Sequence, residues 1–319
     1  MGENMSIAQN LEKNFVSAVV YVHNNEKQIK YFLKVLQQNL EAHFSKYEII
    51  LVNDASTDRS AEIIREVAEN FEKSVVSILK MSYFQGMETS MNAGKNLAIG
   101  DFVFEFDSVD VDYEQELIYE IYKTALTGYD IVSASCDKKK KLSSNIFYRV
   151  FNRFSKVQYK LTTESFRILS RRAINRIDAS STTIPYRKAI YANCGLKCKN
   201  IAYEAKQDVR KIYSYNQKKY REELAVESLI LHTNVAYKVS TILTFAMMAV
   251  ALFSLIYTIV VFLTGNPVAG WTTMMLVLSF GFLGMFAILS IIIRYLAIIL
   301  DLNFKKQNAV FESIEKISK

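Results

Sequence analysis

The feature that most restricts the fold is a regular alternation of two periodicities over residues 15–107. Phe15–Val22, FVSAVVYV, is a continuous apolar run, the pattern of a strand buried on both faces. From Glu26, EKQIKYFLKVLQQNLEAHF places its apolar residues at helical spacing. YEIILVND (Tyr47–Asp54) reads as a second strand and STDRSAEIIREVAENFEK (Ser56–Lys73) as a second helix. Ser56 suits the cap of that helix, and Asp58 its positive end. SVVSILKM (Ser74–Met81), METSMNAGKNLAI (Met87–Ile99) and DFVFEFD (Asp101–Asp107) continue the series as strand, helix and strand. Such alternation predicts βαβ units and an α/β fold with a mostly parallel sheet. Ligands of open parallel sheets bind beyond the carboxyl ends of the strands. HNNE (His23–Glu26), NDASTD (Asn53–Asp58) and DSVDVD (Asp107–Asp112) all fall at such ends, so one polar rim is expected to form a binding site.

The other end of the chain is different. No charged side chain occurs from Val239 to Ile293. One helix crosses a bilayer with about 20 apolar residues, so two spans are expected, at 239–263 and 272–298. They are separated by TGNPVAGW (Thr264–Trp271), a turn with two glycines and a proline. Lys238 precedes the first span, Arg294, Lys305 and Lys306 close the second, and the turn between them is uncharged. The positive-inside bias then places both termini on the cytoplasmic side. This gives a cytosolic domain over 1–235, a membrane segment over 236–300 and a cytosolic tail over 301–319. The polar N-terminus carries no secretory signal pattern.

The formal charge is +7. Much of it gathers near the membrane-proximal segments and not in a nucleic-acid reading motif, so no nucleic-acid partner is expected. Lys138 and Lys139 open a basic run, and Phe147, Phe151 and Phe154 then recur at helical spacing beside Arg149 and Arg153. A basic amphipathic helix of this kind suits the headgroup layer, so residues 138–175 are expected at the membrane interface, where a lipid phosphate would meet these cations. Cys136, Cys194 and Cys198 are odd in number and lack a framework spacing, which predicts reduced thiols; no histidine lies near enough in sequence to complete a zinc site.

Taken in order, these motifs resemble glycosyltransferase family 2, and within it the membrane-anchored polyprenyl-phosphate glycosyltransferases related to dolichol-phosphate mannose synthase. YVHNNE stands for the family's P-V-Y-N-E-E and keeps Asn24 and Glu26. VNDASTD stands for V-D-D-G-S-T-D, and FQGMETSMNAG followed by LAIGD for N-F-G-K-E-A-A-I-x-A-G and A-x-G-D. The resemblance implies a GT-A-type (Rossmann-like) domain followed by two C-terminal transmembrane helices. It also implies that Tyr21, His23, Glu26, Asn53, Asp54 and Gly86 surround the donor nucleotide, with Asp54 accepting a hydrogen bond from the base. The family's D-x-D holds Mg2+ or Mn2+. Aligned without a gap, Val109 takes the place of its second aspartate. With one extra residue, as in a bulge, Asp110 takes that place and Asp112 the position of a following glutamine. The second register is the one adopted, because three neighbouring carboxylates repel each other unless a cation lies among them. Asp107, Asp110 and Asp112 are therefore expected to be metal ligands.

TTESFRILSRRAI resembles G-D-F-R-L-L-S-R-R, which adds Glu164 and Arg167 to Asp107 and Asp110 as catalytic candidates and makes Arg171 a phosphate contact. RKIYSYNQKK resembles R-x-x-G-x-S-x-Y-N-x-K, with Arg210 a further phosphate contact. The expected activity is inverting transfer from a UDP- or GDP-sugar to undecaprenyl or dolichyl phosphate at the cytoplasmic face of a membrane, a bacterial inner membrane above all, for cell-surface glycan synthesis. A homo-oligomer is compatible with the sequence. The alternatives are another lipid acceptor, or a non-catalytic membrane scaffold whose metal site has decayed.

Overall fold

The structure, a computed structural model, describes residues 11–71, 74–137, 142–154, 159–180, 186–206, 215–233 and 310–317, with scattered positions between 235 and 299. The chain divides into two compact units, one of residues 1–149, 157–222 and 307–319, the other of 150–156 and 223–306.

The first unit is built on a sheet in the order β7-β5-β6-β4-β1-β2-β3-β8. Its strands are β1 Val16–Val22, β2 Tyr47–Asn53, β3 Val75–Met81, β4 Phe102–Phe106, β5 Ile131–Cys136, β6 Phe166–Ser170, β7 Cys198–Tyr203 and β8 Phe311–Ile317. β1 pairs in parallel with both β2 and β4, starting at Val16↔Tyr47 and Val16↔Phe102. β6 is antiparallel to β4 and β5, and β8 is antiparallel to β3. Every residue of β1 and β2 is buried, which accounts for their unbroken apolar runs.

Helices cover both faces. α1 (Ile29–His43), α2 (Ser60–Ala68) and α4 (Glu116–Leu126) bring Phe32, Ile64 and Ile118 against Leu51, Phe104 and Phe106. On the other face α3 (Met87–Leu97), α6 (Arg171–Ser180) and α7 (Arg187–Asn193) bring Met91, Ile174 and Tyr191 against Val19, Val52 and Leu169. α3 lies very close to the sheet at Gly94, where an added Cβ would stand 2.5 Å from methyls of Val19 and Val52. The remaining helices are α5 (Leu142–Phe154) and α8 (Tyr215–His232).

α2 begins four residues later than the sequence indicates. Ser56 does not cap it; its backbone N–H donates to Asn53 Oδ1 at 3.0 Å and its hydroxyl accepts from Asn24 N at 3.0 Å. Residues 54–59 are used to tie the β1 and β2 loops together before the helix starts.

Residues 311–317 are not a free tail. They form β8 along the outer edge of β3, with Arg65 paired to Glu315 and Lys80 to Glu312, both at 2.8 Å. A strand here covers the unpaired backbone groups that β3 would otherwise present to other chains.

The spans expected at 239–263 and 272–298 fall largely on residues outside those described. Among the described residues no helix is long and apolar enough to cross a membrane. The three cysteines are free, as their number predicts.

Candidate active site

The loops after β1 and β2 are locked to each other by short polar side chains. Asn24 and Ala55 adopt left-handed backbone angles, φ 55° and 49°. The Asn24 side-chain oxygen accepts from Thr57 N at 2.8 Å, and Asp58 accepts from the backbone N–H of Glu26 at 2.9 Å. His23 Nδ1 lies 2.6 Å from the Asp54 carbonyl, so that nitrogen carries the proton. The imidazole packs against Phe84 with ring centroids 4.8 Å apart.

At the centre of this rim Asp54 is fully buried. Its Oδ1 accepts from Gln85 N at 2.8 Å, and its Oδ2 from Gly86 N and the Tyr21 hydroxyl, both at 2.9 Å. Burial, then the neighbouring Asp54 charge, pushes the Tyr21 hydroxyl well above the ordinary tyrosine range, so it stays a donor. Gly86 has φ +84°, and a Cβ there would come within 2.3 Å of the Tyr220 ring. Only glycine satisfies both constraints. Tyr21, His23, Asn53, Asp54 and Gly86 are thus brought together as expected. Both oxygens of Asp54 are engaged inside the protein, where they tie Tyr21 to the loop before α3. Glu26 stands at the outer edge, accepting from Arg59 N at 3.3 Å.

A second cluster occupies the end of β4. Glu105 faces Arg167 directly across the β4–β6 pairing. Arg167 sends each of its three nitrogens to a different carboxylate: Nη1 to Glu105 at 2.7 Å, Nη2 to Asp107 at 2.6 Å and Nε to Glu164 at 3.0 Å. Arg187, at the start of α7, donates through Nε to Glu88 at 2.9 Å and through Nη2 to the other oxygen of Asp107 at 2.8 Å. Its Nη1 is 2.9 Å from Glu105, within ion-pair range but without hydrogen-bond alignment. Tyr191 donates to Glu105 at 2.8 Å. Both arginines are fully buried. Lys188 stands further back, 4.0 Å from Asp107. The sequence reading found Asp107, Glu164 and Arg167 but missed Glu88, Glu105, Arg187, Lys188 and Tyr191. The one available signal was Glu105, a carboxylate inside the apolar strand FVFEF.

Burial alone would raise the pKa of Asp107, but the charges of Arg167, Arg187 and Lys188 outweigh it and hold the carboxyl well below its usual range. Glu105 is lowered in the same way, burial being overcome by Arg187 and Arg167. Carboxyls depressed in the folded state contribute stability above their unfolded pKa values, about 4. That contribution is lost as pH falls from there toward the folded values. Urea unfolding midpoints are therefore expected to be flat with respect to these groups from pH 5 to 8 and to drop steeply below about pH 4.

A hard divalent cation needs several free oxygens converging on one point. The expected set does not provide them. Both oxygens of Asp107 are held by arginine. Asp110 accepts from the Ser108 hydroxyl at 2.6 Å, and Asp112 from the Tyr203 hydroxyl of β7 at 2.7 Å. Among the described residues no group of three or more His, Cys, Asp or Glu is placed to hold a metal ion. β4 pairs in unbroken register with β1 and β6 through Phe106, and Val109 then enters the core, 2% exposed. With Asp107 held by two guanidinium groups and Asp110 and Asp112 each bonded to a hydroxyl, these residues do not fit the expected metal site.

The acceptor-side candidates are dispersed. Arg171 donates to the carbonyls of Ala98 and Gly100, at the start of β4. Arg167 lies near the start of β6, beside the end of β4, and Arg171 just past the end of β6, beside the start of β4, so the strand separates them. Arg149 and Arg153 are exposed on α5. Lys138, Lys139 and Arg210 lie outside the described residues.

The family model described as glycosyl transferase family 2 matches residues 17–195, the segment that supplies both the locked loops and the ion cluster. An uncharacterized glycosyltransferase, sll0501 of Synechocystis sp., is 27% identical over 57% of this chain, which spans 58% of that relative's length. The bactoprenol glucosyl transferase of Shigella phage SfV is 27% identical over 83% of this chain and 87% of its own. Among solved structures, the mannosyltransferase PcManGT from Pyrobaculum calidifontis, in complex with GDP-Man and Mn2+, superposes with a TM-score of 0.50 at 17% identity, covering 85% of this chain and 87% of that one. The fold is therefore GT-A-like, with a mostly parallel sheet. The family match covers more than half of the 319 residues and runs from the second residue of β1 past the end of β6, so the chain belongs to glycosyl transferase family 2 and is a glycosyltransferase.

Proposed function

We propose that the chain moves a sugar from a nucleotide-sugar donor to a polyprenyl phosphate at the surface of a membrane. The observation that carries this reading is the placement of two fully buried arginines and a lysine around Asp107 at the end of β4, on the rim formed by the locked β1 and β2 loops. The nucleoside lies against His23, Asn53 and Glu26, on the platform that Asp54 and Gly86 hold in place. The diphosphate extends toward Arg187 and Lys188. The acceptor phosphate approaches from the side of Glu164 and Arg167. An oxygen that is already anionic at neutral pH attacks the anomeric carbon in line with the departing diphosphate, so inversion follows and no strong base is needed. Glu164, bonded to Arg167, positions that guanidinium.

Two further observations support a membrane setting. The related phage protein bears the name bactoprenol glucosyl transferase. In the second unit Met285, Leu289, Ile292, Leu296 and Ile299 are all exposed. Their spacing of three and four residues is that of one apolar helical stripe, of the kind lipid would cover. The two spans at 239–263 and 272–298, with the domain and both termini on the cytoplasmic side, belong to this proposal.

The test uses membranes containing the full chain, a panel of radiolabelled UDP- and GDP-sugars and undecaprenyl phosphate. Label is expected in the organic phase with one donor, and Asp107→Ala is expected to reduce it at least about 100-fold by releasing both arginines. Absence of lipid-linked label with every donor would overturn the acceptor assignment.

A further inference from the structure

We infer that Lys188, together with Arg187, takes the place of the divalent cation in this chain, so that sugar transfer runs without a metal ion. The inference rests on the donor reading given above and deepens it. Both oxygens of Asp107 are bonded to guanidinium groups, at 2.8 Å to Arg187 and 2.6 Å to Arg167. A dication bound there would have to displace an arginine and then sit beside two buried like charges. The neighbouring carboxylates do not help. Asp112 is bonded to Tyr203, Asp110 to Ser108, and the side chain between them and Asp107 that enters the interior is Val109, an apolar one.

Four carboxylates, Glu88, Glu105, Asp107 and Glu164, face three cations in this cluster, so only a cation not already tightly paired can meet the charge on the leaving group. Arg167 is saturated by three carboxylates, and Arg187 is held by Glu88 and Asp107. Lys188 differs from both. Its ammonium is 4.0 Å from Asp107, beyond hydrogen-bond distance, and its side chain is 10% exposed. It lines a small cavity with Glu164, Arg167 and Tyr191 that extends to Ser133 of β5 and Cys198 of β7. An ammonium on a flexible stem, poised but not committed, can swing to a phosphate oxygen without breaking a buried ion pair. In the transfer step an acceptor phosphate oxygen forms a bond to the anomeric carbon. The bond from that carbon to the β-phosphate oxygen breaks, and its electron pair stays on the diphosphate. Lys188, with Arg187 beside it, neutralises that growing charge, and no proton has to move. Lys188 is in this sense a catalytic residue, while Asp107 is a positioning residue that holds the two guanidinium groups apart.

Two measurements on the full-length protein in membranes or detergent test this. In the transfer assay, EDTA is expected to change the rate by less than about 2-fold. Lys188→Ala is expected to lower kcat about 100-fold with a much smaller rise in KM, because the charge it meets develops in the transition state. Lys188→Arg is expected to recover most of the rate. Separately, the electron paramagnetic resonance signal of free Mn2+ is expected to be unchanged on adding the protein, and with UDP or GDP present to fall no further than the nucleotide alone lowers it. Transfer abolished by EDTA and restored by Mn2+, or capture of Mn2+ by the protein, overturns the inference while leaving the transfer reaction intact. If no donor gives lipid-linked sugar, the reaction proposed above fails, and the Mn2+ signal still decides this point: capture overturns the inference and an unchanged signal supports it.

Discussion

Arg167→Ala is expected to lower the melting temperature by about 6–20 °C and to abolish sugar transfer. The substitution removes a guanidinium shared by three carboxylates: Glu164 loses its ion pair, and Glu105 and Asp107 are left to Arg187, in a site where Arg167 and Glu105 are fully buried. Breaking a buried ion pair by deleting one partner costs about 3–5 kcal/mol, a large part of the roughly 5–15 kcal/mol that stabilises a typical domain. At about 2–4 °C per kcal/mol for a domain of this size the stated shift follows. Arg167→Lys separates charge from geometry. Lysine keeps the positive charge but offers a single nitrogen in place of a planar fork that reaches three partners, so it is expected to recover part of the stability and little of the activity. Acid offers a second check. In the Arg167→Ala protein Glu105 and Asp107 lose one of the charges that lower them and titrate at higher pH than in the parent, so its stability relative to the parent is expected to improve between pH 6 and pH 4. A variant that melts with the parent protein and keeps transferring sugar would show that the cluster is incidental.

Asp54→Ala is expected to remove donor binding. Its carboxylate satisfies the Tyr21 hydroxyl and the backbone N–H groups of Gln85 and Gly86 at one buried point. Each donor left without a partner costs about 1–3 kcal/mol. The loop before α3 is expected to relax to recover them with water, and the platform under the nucleotide goes with it. By calorimetric titration with UDP and GDP, the affinity that the parent shows is expected to weaken at least about 100-fold. Asp54→Asn keeps one acceptor oxygen but points an NH2 at a cluster of donors, so it is expected to behave more like alanine than like the parent. Binding in Asp54→Asn equal to that of the parent would mean that the carboxylate charge plays no part.

The first four strands and three helices were legible because their periods switch cleanly between continuous apolar runs and helical spacing. What was not legible depended on contacts between distant segments. α2 starts at Ser60 because Ser56 and Asp58 are recruited by Asn24 and Glu26, more than 30 positions earlier. β8 escaped notice because Phe311, Ile314 and Ile317 recur every third residue, which is not the alternation of a half-buried strand. Of the candidate site, Asp107, Glu164 and Arg167 were found through local motifs. Their partners Glu88 and Arg187 are 99 positions apart and meet only when α3 and α7 pack on the same face. For the metal set, the sequence did not show that Asp107 is claimed by Arg167 and Arg187, 60 and 80 positions away. The placement of Arg171 away from Arg167 was hidden because the sequence does not reveal that β6 runs antiparallel to β4.

The placement of β8 has a bearing on the order in which the protein is completed during synthesis. Gln85 exchanges hydrogen bonds with Val310, donating to its carbonyl at 2.6 Å and accepting from its N–H at 3.2 Å, while its own backbone N–H holds Asp54. The platform for the nucleotide is encoded in the first third of the chain, yet its outer wall comes from residues translated more than 200 codons later. A ribosome still carrying residue 300 holds a domain whose outer edge lacks β8. The loop at Gln85 therefore gains these two bonds only after residue 310 has been made.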